Sequence, residues 1–265
     1  MLELCCMLKK VSVIIPLYNQ YEFLEEALQS VENSTYSNVE IIVVNDGSND
    51  VSQETIKKCI SKFNNIKLIN QNNMGVCTAR NSGIKEASGD YILPLDADDK
   101  IAPTYIEQAV KILDANENIG VVYCEAEYFG AKSGKLNLKP ATIKNMLIQN
   151  RIFPSALFRK EDYYKTSGYR KELEIGCGDW DLWLQLIELG CKTHKIPQPL
   201  FFYRKSDNIA TQIALNFSNY VKIRKYIIKF HNKLYKQYWY KVTIPIIILI
   251  LKNAVFNICN LLKKK

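Results

Sequence analysis

Histidine is almost missing. The 265 residues hold only His194 and His231, so a multi-histidine metal site and a mechanism built on paired histidines are out of reach. The eight cysteines, at 5, 6, 59, 77, 124, 177, 191 and 259, form no C-x-x-C pair. No secretory leader is legible either: residues 1–10 carry Glu3 early and end in lysines, the reverse of a signal peptide. Reduced thiols in a cytosolic setting are expected, and the adjacent Cys5 and Cys6 alone are a weak lipidation signal. Neither G-x-x-x-x-G-K-[ST] nor G-x-G-x-x-G occurs, which excludes a P-loop protein and a dinucleotide-binding Rossmann protein. Acid is lacking from one region only. Residues 208–265 hold eleven Lys or Arg and no Asp or Glu, whereas residues 1–207 hold 24 basic and 27 acidic side chains. A mildly acidic body with a strongly basic tail suggests a polyanionic partner, nucleic acid or a membrane surface.

What is present is globular. Hydrophobic residues make up 48% and charged residues 23%, which argues against a disordered or low-complexity chain. Up to residue 124 the hydrophobic period alternates. Residues 11–16 (VSVIIP) form a continuous apolar run, as in a strand buried on both faces. Leu24, Ala27, Leu28 and Val31 then trace one helical face. Strands are predicted at 39–44, 66–69, 91–95 and 120–124, with helices around Ile56–Phe63, over 76–87 and around Ile106–Leu113. This βα alternation predicts a mainly parallel, Rossmann-like α/β sheet flanked by helices. Ligands on such sheets sit outside the carboxyl ends of the strands, where Tyr18 and Asn19, residues 45–50 (NDGSND) and residues 96–99 (DADD) fall. Residues 125–150 are less patterned. Order returns at 155–159, in a helix over 179–189 closed by Gly190, and in an extended segment at 197–204.

From Asn216 aromatics and lysines interleave, then residues 244–251 (IPIIILIL) form an apolar run. A span needs about 20 mostly apolar residues. Residues 242–262 reach that length only with a lysine, a proline and three asparagines inside. An in-plane helix on an anionic surface fits better; a helix hairpin packed on the domain is the alternative. The expected division is an N-terminal extension (1–10), a domain over 11–207 with halves at 11–124 and 125–207, and a membrane-associating segment over 208–265.

Asp96, Asp98 and Asp99 stand at the end of a buried strand and repel one another unless their charge is offset. A divalent cation bound to phosphate oxygens would do so. In an extended segment Asp96 and Asp98 point the same way, so one metal–phosphate group could meet both. Pro16, Tyr18 and Asn19 follow the first strand; Tyr18 could stack on a base, and Asp46 could accept a base N–H or a ribose hydroxyl. Arg80 would pair with a carboxylate of the acidic loop or with a diphosphate. Asp179 is either a helix N-cap or a general base for a hydroxyl. Trp180 and Trp183 are either a sugar-stacking wall or core.

Five segments carry a resemblance. They are residues 11–19 (VSVIIPLYN), 43–50 (VVNDGSND), 72–83 (NNMGVCTARNSG), 87–99 (ASGDYILPLDADD) and 178–186 (GDWDLWLQL). In this order they resemble glycosyltransferase family 2, inverting nucleotide-sugar-dependent enzymes of GT-A fold, over about residues 11–204. The resemblance implies nucleoside contacts at Pro16, Tyr18 and Asp46. It implies donor contacts at Asn73, Gly75 and Arg80, and a D-x-D pair at Asp96 and Asp98. Asp98 or Asp99 would lie on Mg2+ or Mn2+, and Asp179 would be the catalytic base. Two departures stand out. Gly178 occupies the position of the family's glutamate before the base, and no histidine follows Tyr203-Arg204, where Asp207 could substitute.

The expected function is transfer of a sugar from a nucleoside-diphosphate sugar to a hydroxyl of a glycan or glycolipid. The expected setting is cell-surface polysaccharide or lipopolysaccharide synthesis, peripheral on the cytoplasmic face of a membrane, with no nucleic acid partner. The alternatives are transfer to a polyprenyl phosphate and a non-catalytic sugar-nucleotide-binding remnant.

Overall fold

The computed structural model describes residues 8–136, 138–205 and 217–262. The expected alternation holds through the first half: β1 (Val11–Leu17), α1 (Tyr21–Glu32), β2 (Val39–Asp46), α2 (Gln53–Ile60), β3 (Ile66–Gln71), α3 (Val76–Lys85) and β4 (Tyr91–Pro94). Then come β5 (Lys100–Ile101), α4 (Tyr105–Ala115), β6 (Ile119–Gly130), β7 (Gly134–Leu136), α5 (Ile143–Ile148), β8 (Leu157–Arg159) and α6 (Lys160–Tyr163). The chain continues through α7 (Gly178–Glu188), β9 (Lys192–Lys205), α8 (Phe217–Phe230) and α9 (Asn232–Leu262).

Among the described residues one sheet runs in the order β3-β2-β1-β4-β8-β6-β9-β5, with β7 beside β6. The pairs β3-β2, β2-β1 and β1-β4 are parallel, as the βα alternation requires. Beyond β4 the sheet is mixed: β8 is antiparallel to both β4 and β6, and β9 is parallel to β6. Residues 125–150 lack a clear period because β6 runs on past residue 124, bulges against β9, and hands over to the short β7 and α5. The extended segment expected at 197–204 is the second half of the longer β9.

Every residue of β1 is buried. Val11, Val13 and Ile15 enter the core beneath α1 and α4, while Ile14 enters the opposite core beneath α3 and α7. This two-sided burial produces the unbroken apolar run, at about 1.5–3 kcal/mol per large side chain. The second core also takes Ile223, Ile227, Tyr235, Val242 and Ile246 from α8 and α9. One face of residues 223–246 is therefore packed on the domain. Trp239, Tyr240, Ile244, Ile247, Ile248 and Leu251 of α9 remain exposed. Among the described residues no helix is long and apolar enough to cross a membrane. Cys5, Cys6 and Asp207 lie outside the described residues.

Candidate active site

The carboxyl ends of the parallel strands open into one cavity of about 350 Å³. Pro16, Tyr18, Asp46, Asn73, Gly75, Asp96 and Asp98 all line it. Tyr18 is 46% exposed at this mouth. Asp46, the last residue of β2, holds the loop ahead of α3. Its Oδ1 accepts from Gln71 Nε2 at 2.7 Å and Met74 N at 2.9 Å, and its Oδ2 accepts from Gly75 N at 2.8 Å. Oδ2 retains acceptor capacity.

Gly75 precedes α3 at φ +91°, where L residues are strained, and a Cβ there would run into the Glu174 carboxylate. That carboxylate caps α3. It accepts from Cys77 N at 2.9 Å, Thr78 N at 2.8 Å and Thr78 Oγ1 at 3.1 Å, three bonds from a residue 96–97 positions away. Sequence reasoning missed Glu174. It also explains nothing local in its own segment; only the fold brings it to a helix N-terminus, where negative charge is favoured.

Arg80 projects from α3 under the acidic loop. It is 5% exposed and its Nη2 lies 2.5 Å from Asp96 Oδ1, with the guanidinium over the Tyr169 ring. Burial opposes its charge, but Asp96 and the nearby Asp179 hold it firmly protonated. The ion-pair reading of Arg80 is thus realised. Asp98 is pushed up to about 6 by burial and by Asp96. Asp99 is 1% exposed and is also raised, by burial and by both neighbouring carboxylates. It does not line the cavity; its Oδ1 accepts from Arg204 N at 2.8 Å. Arg204 lines the cavity. Its Nε donates to Asp98 O at 2.8 Å, its guanidinium pairs with Glu26, and it stacks between Phe23 and Phe129.

Asp179 is the second residue of α7, not its N-cap; that place belongs to Cys177, left-handed at φ 64°. Asp179 is 8% exposed and does not line the cavity directly. Burial raises its pKa, while Arg80 and Asn150 lower it. Asn150 Nδ2 donates to its Oδ2 at 2.6 Å. Asn150 lies in the unpatterned segment and had no sequence signal. Gly178 is tightly placed: a Cβ would strike Cys77 Sγ, so the glutamate of the resemblance has no room there unless Cys77 moves. Trp180 and Trp183 are core, at 3% and 0% exposure, which removes the sugar-wall reading.

Asp98 and Asp99 offer the hard carboxylate oxygens that Mg2+ or Mn2+ prefers, completed elsewhere by water or phosphate. Burial first, and then the neighbouring carboxylates, raises the pKa of both; a bound cation would relieve the mutual repulsion. Among the described residues no three His, Cys, Asp or Glu side chains group tightly enough to hold an ion by themselves. The donor set fits an ion shared with a bound anion.

The half-parallel α/β sheet thus carries an acidic loop and a polar cavity at its strand ends. The family described as "Glycosyl transferase family 2" matches residues 12–172, and the chain belongs to that family. An uncharacterized glycosyltransferase of Haemophilus influenzae is 31% identical over 219 residues, covering 77% of this chain and 68% of its own. Glycosyltransferase GlyA of Streptococcus pneumoniae is 41% identical over 113 residues, 42% of this chain and 16% of its own. Among solved structures, S. aureus TarS 1-349 in complex with UDP-GlcNAc covers 87% of this chain and 72% of its own. Its TM-score is 0.66 at 18% identity. The mannosyltransferase PcManGT of Pyrobaculum calidifontis, in complex with GDP-Man and Mn2+, covers 94% and 81% with a TM-score of 0.63 at 16% identity. Both share the fold.

Proposed function

We propose that this glycosyltransferase moves a sugar from a nucleoside-diphosphate sugar to a hydroxyl of a glycan or glycolipid, with inversion. The cavity that gathers Pro16, Tyr18, Asp46, Asn73, Gly75, Asp96 and Asp98 at one sheet edge carries this reading. Tyr18 stacks on the base and the spare lone pair of Asp46 Oδ2 accepts its N–H. Arg80, through Asp96, keeps the acidic loop in place against the donor. Asp98, with Asp99 behind it, would hold Mg2+ or Mn2+, which when bound offsets charge on the departing diphosphate as a Lewis acid. Asp179 takes the proton of the acceptor hydroxyl. The attack passes through an oxocarbenium-like state and needs no covalent nucleophile. Burial raises the proton affinity of Asp179 and so suits it to this task.

The reading includes peripheral attachment to the inner face of a membrane, with cell-surface polysaccharide as the product class. Ile244, Ile247, Ile248 and Leu251 fall at i, i+3, i+4 and i+7 and are 68%, 51%, 48% and 59% exposed. They face away from Val242 and Ile246, which are packed on the domain. Lys236, Lys241 and Lys252 are exposed on the same helix, and no acid occurs in residues 208–265. An apolar stripe among lysines suits an anionic lipid surface.

The test is a panel of nucleotide sugars, beginning with UDP-GlcNAc and GDP-mannose, with and without Mn2+. Thermal shift and released nucleoside diphosphate are measured, with anionic vesicles present and absent. A metal-dependent response to one donor is expected. Silence toward every donor under all conditions overturns the reading in favour of a remnant. An Asp179→Asn variant that still transfers sugar favours a polyprenyl phosphate acceptor, which is its own nucleophile.

A further inference from the structure

Among the described residues, no carboxylate pairs with the buried arginine of α8. Arg224 is 3% exposed, yet its partners are two carbonyls, the Tyr220 hydroxyl and two rings. Nη1 donates to Leu147 O at 3.0 Å and Nη2 to Ile148 O at 2.6 Å, while the guanidinium covers the Trp180 ring at 4.7 Å and meets Tyr220. Burying a cation without a counter-charge costs several kcal/mol, and an apolar side chain of similar size would be cheaper. Stability alone therefore gives a poor account of an arginine at this place.

Its contacts converge on the end of α5. The last carbonyls of a helix have no partner within it. Here Met146 O accepts from Trp180 Nε1 at 2.7 Å, Leu147 O from Tyr235 Oη at 2.6 Å as well as from Arg224, and Ile148 O from Arg224. Two residues on, Asn150 donates to Asp179. The helix that carries Asp179 is fastened to the same C-terminal pair by a second bolt. His231, 0% exposed between α8 and α9, places Nε2 2.9 Å from Asp181 Oδ1 and Nδ1 3.1 Å from Glu188 Oε2. Arg170, 2.5 Å from the same Asp181 oxygen, stacks on Phe230 of α8.

We propose that α8 and α9 are a positioning element for the base, with Arg224 and Tyr235 fixing the end of α5 so that Asn150 meets Asp179. The proposal rests on Asp179 acting as the base. Arg224 and Tyr235 are positioning residues, since neither touches the cavity.

The test uses the full chain as Arg224→Met, which keeps the bulk of the side chain, and Tyr235→Phe, which removes one hydroxyl. Hydrogen exchange should accelerate about tenfold or more over residues 143–152 in Arg224→Met, and less in Tyr235→Phe, with β1–β4 unchanged. UDP affinity with Mn2+, measured by calorimetry, should stay within about twofold. Turnover of the responsive donor should fall about tenfold or more at unchanged donor KM. Asn150→Ala should cause a similar loss, and the double variant with Arg224→Met should lose little more, because both act on one contact. Unchanged exchange over 143–152 in both single variants overturns the proposal, as do losses that simply multiply in the double variant. Should the wild-type chain turn over no donor, the transfer reading fails, while the exchange measurement still decides whether this element holds Asn150.

Discussion

Asn150 Nδ2 and Asp179 Oδ2 lie 2.6 Å apart, joining the loop after α5 to the first turn of α7. The bond favours the charged carboxylate, while burial disfavours it more strongly, so the pKa of Asp179 lies above the ordinary carboxylate value. Raised affinity for the proton means that the active, ionised form appears only as pH climbs through that shifted value. The acid limb of kcat/KM should therefore stand above about 4. Removing the Asn150 amide with Asn150→Ala should move it further up. A pH–rate profile in which the limb moves down, or not at all, contradicts the assignment.

Asp179→Asn keeps the shape and removes the proton acceptor proposed above. Turnover onto a hydroxyl acceptor should fall about 10²–10⁴-fold, while the responsive nucleotide sugar with Mn2+ should raise the melting temperature as it does in the unsubstituted chain. Steady-state kinetics beside thermal shift check both halves.

Asp98→Asn should act the other way round. The Mn2+-dependent thermal shift with the responsive nucleotide sugar should disappear, because one of the hard oxygens facing the cavity becomes a neutral amide. The protein without ligand should melt at the same temperature or higher, since a carboxyl pushed up to about 6 by burial and Asp96 is a source of repulsion. A retained Mn2+-dependent shift would mean that the cation sits elsewhere.

Arg80→Met leaves Asp96 beside two other carboxylates with its ion pair gone. About 3 kcal/mol of stability should be lost, read as a shift in the urea midpoint. Nucleotide affinity should fall with it, since the acidic loop loses its support. A variant with wild-type stability would show that Asp96 had found another partner.

Gly75→Ala meets both a left-handed backbone and the Glu174 carboxylate. A loss of about 2 kcal/mol is expected. The double variant Gly75→Ala with Glu174→Ala removes the collision but also the cap on α3, so it should recover only part of the loss.

The donor side was legible because its signals are local. The apolar run of β1 records burial on both faces. Tyr18, Asp46 and Asp96 follow strands directly, so reading the strands placed them at one edge. Asn150, Glu174 and Arg224 were not legible, for a common reason. Each acts across 29 to 97 positions on a backbone group or carboxylate that the sequence does not mark. The bulged pairing of β6 with β9 hid the second half in the same way, because interrupted register destroys the period-two pattern. The helix over 179–189 was legible to within a residue, since Gly190 sits at φ +92° just beyond it.

The sheet changes character between β4 and β8, where parallel pairing gives way to antiparallel. Most of the cavity at the strand ends is built on one side of that seam, and Asp179 with Asn150 is built on the other. On the proposed reading, substitutions around α5 and α7 act on the side that receives the sugar and leave in place the cavity lining supplied by the loops after β1 to β4.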